Sequence, residues 1–249
     1  MKIRRLHRWS VTPKKAQEIQ LALRKRWEGE DRLPAIRYVA GADAAFVLRG
    51  SQAIRPRGRR NVLRDANRAI AGVVVYRYPE MQEVERAYAV KPLRFPYVPG
   101  LLSFRECPAL LAAFAKLKHA PDVIFCDAQG YAHPRRFGLA CHLGLLLDRP
   151  AIGCAKSRLI GTEREPLAKA GSWAPLVDES LRGETIGAVL RTREGVRPMY
   201  VSQGHRVSLA TAIDLTLAVC DGLRIPRPTR EADHFVRALK GNYLAGKLA

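Results

Sequence analysis

Two short runs, DVIFCD at 122–127 and AIGCA at 151–155, are apolar along almost their whole length and do not alternate. A strand that alternates keeps one face in water, whereas a strand that does not must be covered on both faces. Such strands belong in the middle of a sheet with helices on either side. The rest of the chain supplies the partners. Residues 36–47, 69–78 and 83–90 read as three strands of an antiparallel meander, with Pro79 and Glu80 at a turn. Helices are expected at about 12–28, 103–118, 137–147, 208–220 and 229–240, the first opened by Thr12 as cap and Pro13 in its first turn. Residues 186–191 and 199–202 form a late strand pair. The expected fold class is α/β, a mixed sheet of antiparallel meander followed by parallel strands, flanked by helices. One domain over 1–249 accommodates this, with an N-terminal basic helix and a basic insertion at about 48–68.

Charge narrows the partners. The chain of 249 residues carries 43 Lys and Arg against 23 Asp and Glu, a formal charge of +20. That excess points to a polyanion, nucleic acid first. An apolar fraction of 47% supports a sizeable core and excludes a disordered tail protein. The five cysteines, at 107, 126, 141, 154 and 220, are odd in number and form no Cys-x-x-Cys pair. They read as buried reduced thiols of a cytoplasmic protein, and a zinc site or catalytic thiol is not expected. The apolar stretch at 139–147 is too short to span a bilayer, so no membrane is expected.

Four acids stand where acids are awkward. Asp43 interrupts a strand, Asp127 ends a buried one, Glu106 lies near a helix start, and Asp233 lies in the last helix. A carboxylate in a buried strand is costly unless it is paired or binds a cation. Strand acids that converge at one sheet edge suit Mg²⁺ or Mn²⁺, and two such ions suit phosphodiester hydrolysis. Each acid also has a plain reading, Asp43 least readily because small residues surround it and no local turn demands it. Ser103 to Glu106 fits a capping box, Asp127 fits a turn cap, and Asp233 fits an ion pair with Arg230 or Arg237. The loops favour nucleic acid. Tyr97, stiffened by Pro96 and Pro99, is built to stack on a base or to pack beneath its own loop. Gln129–Arg136 places a glycine, His133, Arg135 and Arg136 directly after Asp127, and Lys156 and Arg158 follow the next strand. His142 and His205 read as structural.

Taken in order, GADAAF, YVPGLLSFRE, CDAQGYAHPRRFG with HLG, IGCAKSRL, GHRVS and IPRPTREAD resemble endonuclease V over about 35–237. The resemblance implies a ribonuclease-H-like fold. It also implies Mg²⁺-dependent cleavage, with Mn²⁺ as substitute, of the second phosphodiester bond 3′ to a deaminated base, chiefly hypoxanthine. The products would carry a 3′-hydroxyl and a 5′-phosphate, and the role would be DNA repair. By the same resemblance Asp43, Glu106, Asp127 and Asp233 are metal-site acids, and Lys156 lies near the reacting phosphate. Pro96, Tyr97, Val98 and Pro99 form a wedge, Gly100 and Leu102 offer backbone to the base, and His133, Arg135 and Arg136 lie in the loop beside it. Ala128 stands where members usually carry glycine, an extra methyl expected either to narrow the pocket or to alter lesion choice. The partner implied is DNA containing deoxyinosine, with a monomer expected. Inosine RNA is the alternative substrate, and a non-catalytic basic binding module the rival class. The insertion at 48–68 reads as a solvated arm, either a clamp on flanking phosphates or a loop that only aids solubility.

Overall fold

The computed structural model describes residues 1–48, 66–181 and 183–248. Most of the expected arm therefore lies outside the described residues, and its last residue, Arg68, opens a strand. The strands are β1 (Tyr38–Val47), β2 (Arg68–Arg77), β3 (Gln82–Pro92), β4 (Val123–Cys126), β5 (Ala151–Ala155), β6 (Thr162–Glu163), β7 (Trp173–Asp178), β8 (Glu184–Leu190) and β9 (Met199–His205). The helices are α1 (Pro13–Arg24), α2 (Leu102–Phe114), α3 (Leu139–Leu147), α4 (Leu209–Ala218) and α5 (Arg227–Leu244). All strands join one sheet in the order β3-β2-β1-β4-β5-β9-β8-β7-β6. β1, β4 and β5 run parallel and the remaining pairs antiparallel.

The central strands are covered as their composition demands. Ile124 and Cys126 of β4 pack with residues of α2 and α3 on one face. Val123 and Phe125 pack with residues of α4 and α5 on the other. Every β4 residue is therefore buried. Expected element positions hold within a few residues, and β6 and β7 are additions to the sheet foreseen. No helix among the described residues is long and apolar enough to cross a membrane.

Two glycines place the last helix. A Cβ on Gly41 of β1 would fall 1.8 Å from the carbonyl oxygen of Pro228, and one on Gly72 of β2 would fall 2.7 Å from Val236. The bare strand surface lets α5 lie directly on the sheet, against the face that β1 presents at Val39, Gly41 and Asp43. The parallel register pairs Ala42 with Cys126. Asp43 and Asp127, one residue further on each strand, therefore emerge side by side at the same edge.

Candidate active site

Glu106 approaches this edge from α2 and Asp233 from α5. The capping box does not form: Leu101 is the cap residue of α2 with no side-chain bond, and Ser103 Oγ instead lies 3.0 Å from Nδ1 of His142. Glu106 is buried, at 8% exposure. Burial, reinforced by Asp43 and Asp127, holds its carboxyl well above the usual carboxylate range. Asp43 is pushed up to about 7, by burial first and then by Asp127 and Asp233. The acids thus compete for too little positive charge. Lys156, just past β5, pairs with Asp127. Arg237 pairs with Asp233 at 2.8 Å, so the helical pairing expected of Asp233 is present as well.

Among the described residues no three His, Cys, Asp or Glu side chains close on one point as a ready cage. The donor set still fits a hard divalent cation, because it is carboxylate oxygen throughout and two of its members are pushed toward protonation, by burial first and then by neighbouring acids.

A cavity of about 430 Å³ opens beside the acids. Tyr97, Val98, Pro99, Gly100, Leu102, Ala128 and His133 line it, and so do Asp127 and Lys156. Tyr97 and Val98 are half-buried rather than fully exposed. Ala128 is buried, its side chain sitting directly on the cavity wall. Two hydrogen bonds fix the state of His133. Its Nδ1 accepts from the Arg135 backbone N–H at 3.2 Å, which leaves Nε2–H to donate to the Gly100 carbonyl at 3.0 Å. Burial and the two nearby arginines lower its pKa to about 4, so the ring is neutral.

The same Gly100 carbonyl accepts from Arg135 Nη2 at 2.7 Å and from Gln20 Nε2 at 3.1 Å. Gln20 in turn accepts from Arg135 Nε at 2.6 Å and donates to the Phe137 carbonyl at 3.1 Å. Gln20 belongs to α1 and lines the cavity, a role its sequence position does not signal. Pro96 and Arg135 do not line the cavity, although Arg135 braces the loop that does.

Arg136, expected in the loop beside the base, is held inside the protein. At 1% exposure it is bonded to Asp178 at 2.6 Å and to Glu184 at 2.8 Å. It ties the loop to β7 and β8. His142 and His205 are buried, as expected of structural histidines.

A mixed sheet edged by carboxylates, with a basic side chain shared between that edge and a cavity, fits the class of nucleases. Comparison with known proteins fixes which kind. The family model described as Endonuclease V matches residues 20–234. Endonuclease V of Nostoc sp. is 47% identical over 234 residues, covering 94% of this chain and 97% of that one. The crystal structure of endonuclease V from Streptomyces avermitilis, 39% identical, superposes with a TM-score of 0.82 over 98% of this chain and all of that one. Ciona intestinalis endonuclease V was solved with a 24mer DNA containing an inosine followed by a ribo-adenosine. It is 26% identical, with a TM-score of 0.73 over 92% of this chain and 98% of that one. The chain belongs to the endonuclease V family, and its fold is the ribonuclease-H-like one.

Proposed function

We propose that this enzyme draws a deaminated base, chiefly hypoxanthine, from a DNA strand into the 430 Å³ cavity and hydrolyses the second phosphodiester bond on its 3′ side, as a step in DNA repair. The products carry a 3′-hydroxyl and a 5′-phosphate. One observation carries this reading: Asp127 and Lys156 line the cavity and also belong to the acid cluster, so one strand can fill both. The inosine-containing DNA held by the Ciona relative supports the same substrate.

Asp43, Glu106, Asp127 and Asp233 would hold Mg²⁺, or Mn²⁺ in its place, and the ion would stabilise the charge that builds on the reacting phosphate. The chain's own side chains do the rest. Lys156 brings an ammonium group to that phosphate, and Tyr97 fills the gap the base leaves. Hypoxanthine differs from adenine by a carbonyl and a ring N–H, which backbone groups can read. The N–H groups of Leu102 and Ser103 fall in the first turn of α2, where no intrahelical acceptor exists, and both residues line the cavity. The Gly100 carbonyl, already holding three donors, serves to fix the loop instead. Five buried, unpaired thiols fit a reducing compartment, and we place the enzyme in the cytoplasm.

The test is incubation with a deoxyinosine duplex and an inosine RNA of identical sequence, each with Mg²⁺, with Mn²⁺ and with chelator. The expected result is a single cut at the second bond 3′ of deoxyinosine that chelator abolishes. Cleavage indifferent to inosine, or undiminished by chelator, overturns the reading. Preferential cutting of the RNA transfers it to the alternative substrate.

A further inference from the structure

A second cavity, of about 480 Å³, lies across Lys156, Ser157 and Arg158 from the first, and those three residues line both. Its wall is of another kind. It adds Arg191, Arg197 and Arg224, and Glu165 is the one acid among its lining residues. That acid is engaged by Arg191, Lys156 is engaged by Asp127, and Arg158 stands 3.6 Å from Glu163. Arg224 donates to the backbone carbonyls of Arg197 at 2.8 Å and of Lys156 and Pro198 at 3.0 Å. Those bonds orient its guanidinium without neutralising it. The exposed side chain of Arg197 has no hydrogen-bond or ion-pair partner among the described residues. Burial and then the charge of Arg197 lower the proton affinity of Arg224, which also senses Asp127. Two guanidinium groups therefore share a concave wall with no acid assigned to either, within electrostatic reach of the acid cluster.

A concave wall with unneutralised arginines attracts anions, and the planar guanidinium fork matches phosphate oxygen better than any other side chain. The arrangement of the two cavities gives the strand a direction. The base fills the first, the reacting phosphate meets Asp127 and Lys156, and whatever lies beyond passes the Lys156–Arg158 wall. We propose that the second cavity seats the backbone phosphates of the strand segment 3′ of the cut, the piece that departs with the 5′-phosphate. This rests on the cleavage reading given under Proposed function. It adds that efficient cutting needs nucleotides beyond the cut and that Arg197 is one of the residues that hold them.

The test uses the full chain and inosine duplexes whose lesion strand either stops at the first nucleotide past the cut or continues for a helical turn. Three proteins are compared: wild type, Arg197→Ala, and Arg193→Ala, the last removing an exposed charge from the same connection without touching the cavity. Wild type should lose about tenfold in kcat/KM on the short strand, the scale of one charge-assisted contact, mostly through KM. Arg197→Ala should lose about as much on the long strand and little more on the short one, while Arg193→Ala follows wild type. If Arg197→Ala matches Arg193→Ala on the long strand, the proposal fails. It also fails if shortening costs wild type and Arg197→Ala equally. Wild-type cleavage that ignores inosine would instead overturn the base-cavity reading, and the comparison of strand lengths would still decide this one.

Discussion

Around Asp43 and Glu106, burial first and then the neighbouring carboxylates push two acids toward protonation. A few residues away, around Gly100, the opposite holds: one carbonyl takes three donors, and Gln20 and His133 have both ends of their side chains bonded. The acid edge stores unmet electrostatic demand, whereas the Gly100 carbonyl has its donors in place. The difference follows from the work each is proposed to do. A site that must gather a cation and stabilise developing charge gains from groups whose charge is still unanswered. A site that must discriminate between bases gains from a shape held before the base arrives.

The sharpest way to break this contrast is to discharge the acid edge. Asp127→Asn should reduce inosine-directed cleavage by about a thousandfold or more while binding of the same duplex persists, because charge at this edge matters most in the transition state. Single-turnover cleavage and a filter-binding titration separate the two. Wild-type-like cleavage would show that the crowded acids are only structural.

Loosening the base loop should act differently. Gln20→Ala removes one of the three donors on Gly100 and leaves the acids untouched. Discrimination between deoxyinosine and undamaged duplex should fall by about fivefold, the scale of one buried hydrogen bond, with cleavage chemistry retained. A variant that lost catalysis and kept discrimination would reverse the roles assigned to the two regions.

The smallest effect sharpens the contrast through pH. An aspartate ionises near 4 in the unfolded chain, and Asp43 does so at about 7 in the folded one. Between those values the folded chain holds a proton that the unfolded chain has shed, so metal-free stability falls as pH rises from about 4 to about 7. Asp43→Asn cannot ionise. Its metal-free Tm should exceed that of wild type by a few degrees at about pH 8, with the advantage gone below about pH 4. Equal melting at the higher pH would mean that Asp43 carries no electrostatic load.

Much of this was legible in the chain because burial and register leave periodic marks. The unbroken apolarity of β4 and β5 demanded two covered faces, and the structure covers them. Asp43 stood out because no turn or cap explained it. What stayed hidden depends on partners distant in sequence. Arg136 looked available for phosphate, yet its acids lie 42 and 48 residues further on, the nearer of them in a strand, β7, that the sequence barely signals. β7 (Trp173–Asp178) contains Pro175 and buries only Leu176, so it lacks both the apolar run and the clean alternation that mark a strand. Gln20 reads as one more polar residue of an amphipathic helix, because the carbonyl it serves is 80 residues away.

The five free cysteines offer a clock built into the molecule. All are buried; burial raises the thiols of Cys107 and Cys126 well above their usual range and pushes Cys220 up to about 12. A thiol kept protonated and covered is nearly inert to alkylating reagents, which attack the thiolate. Cys107 directly follows Glu106, and Cys126 directly precedes Asp127. The rate at which a reagent labels these two therefore reads how often the helix and strand that carry the acids swing open, without a probe being added.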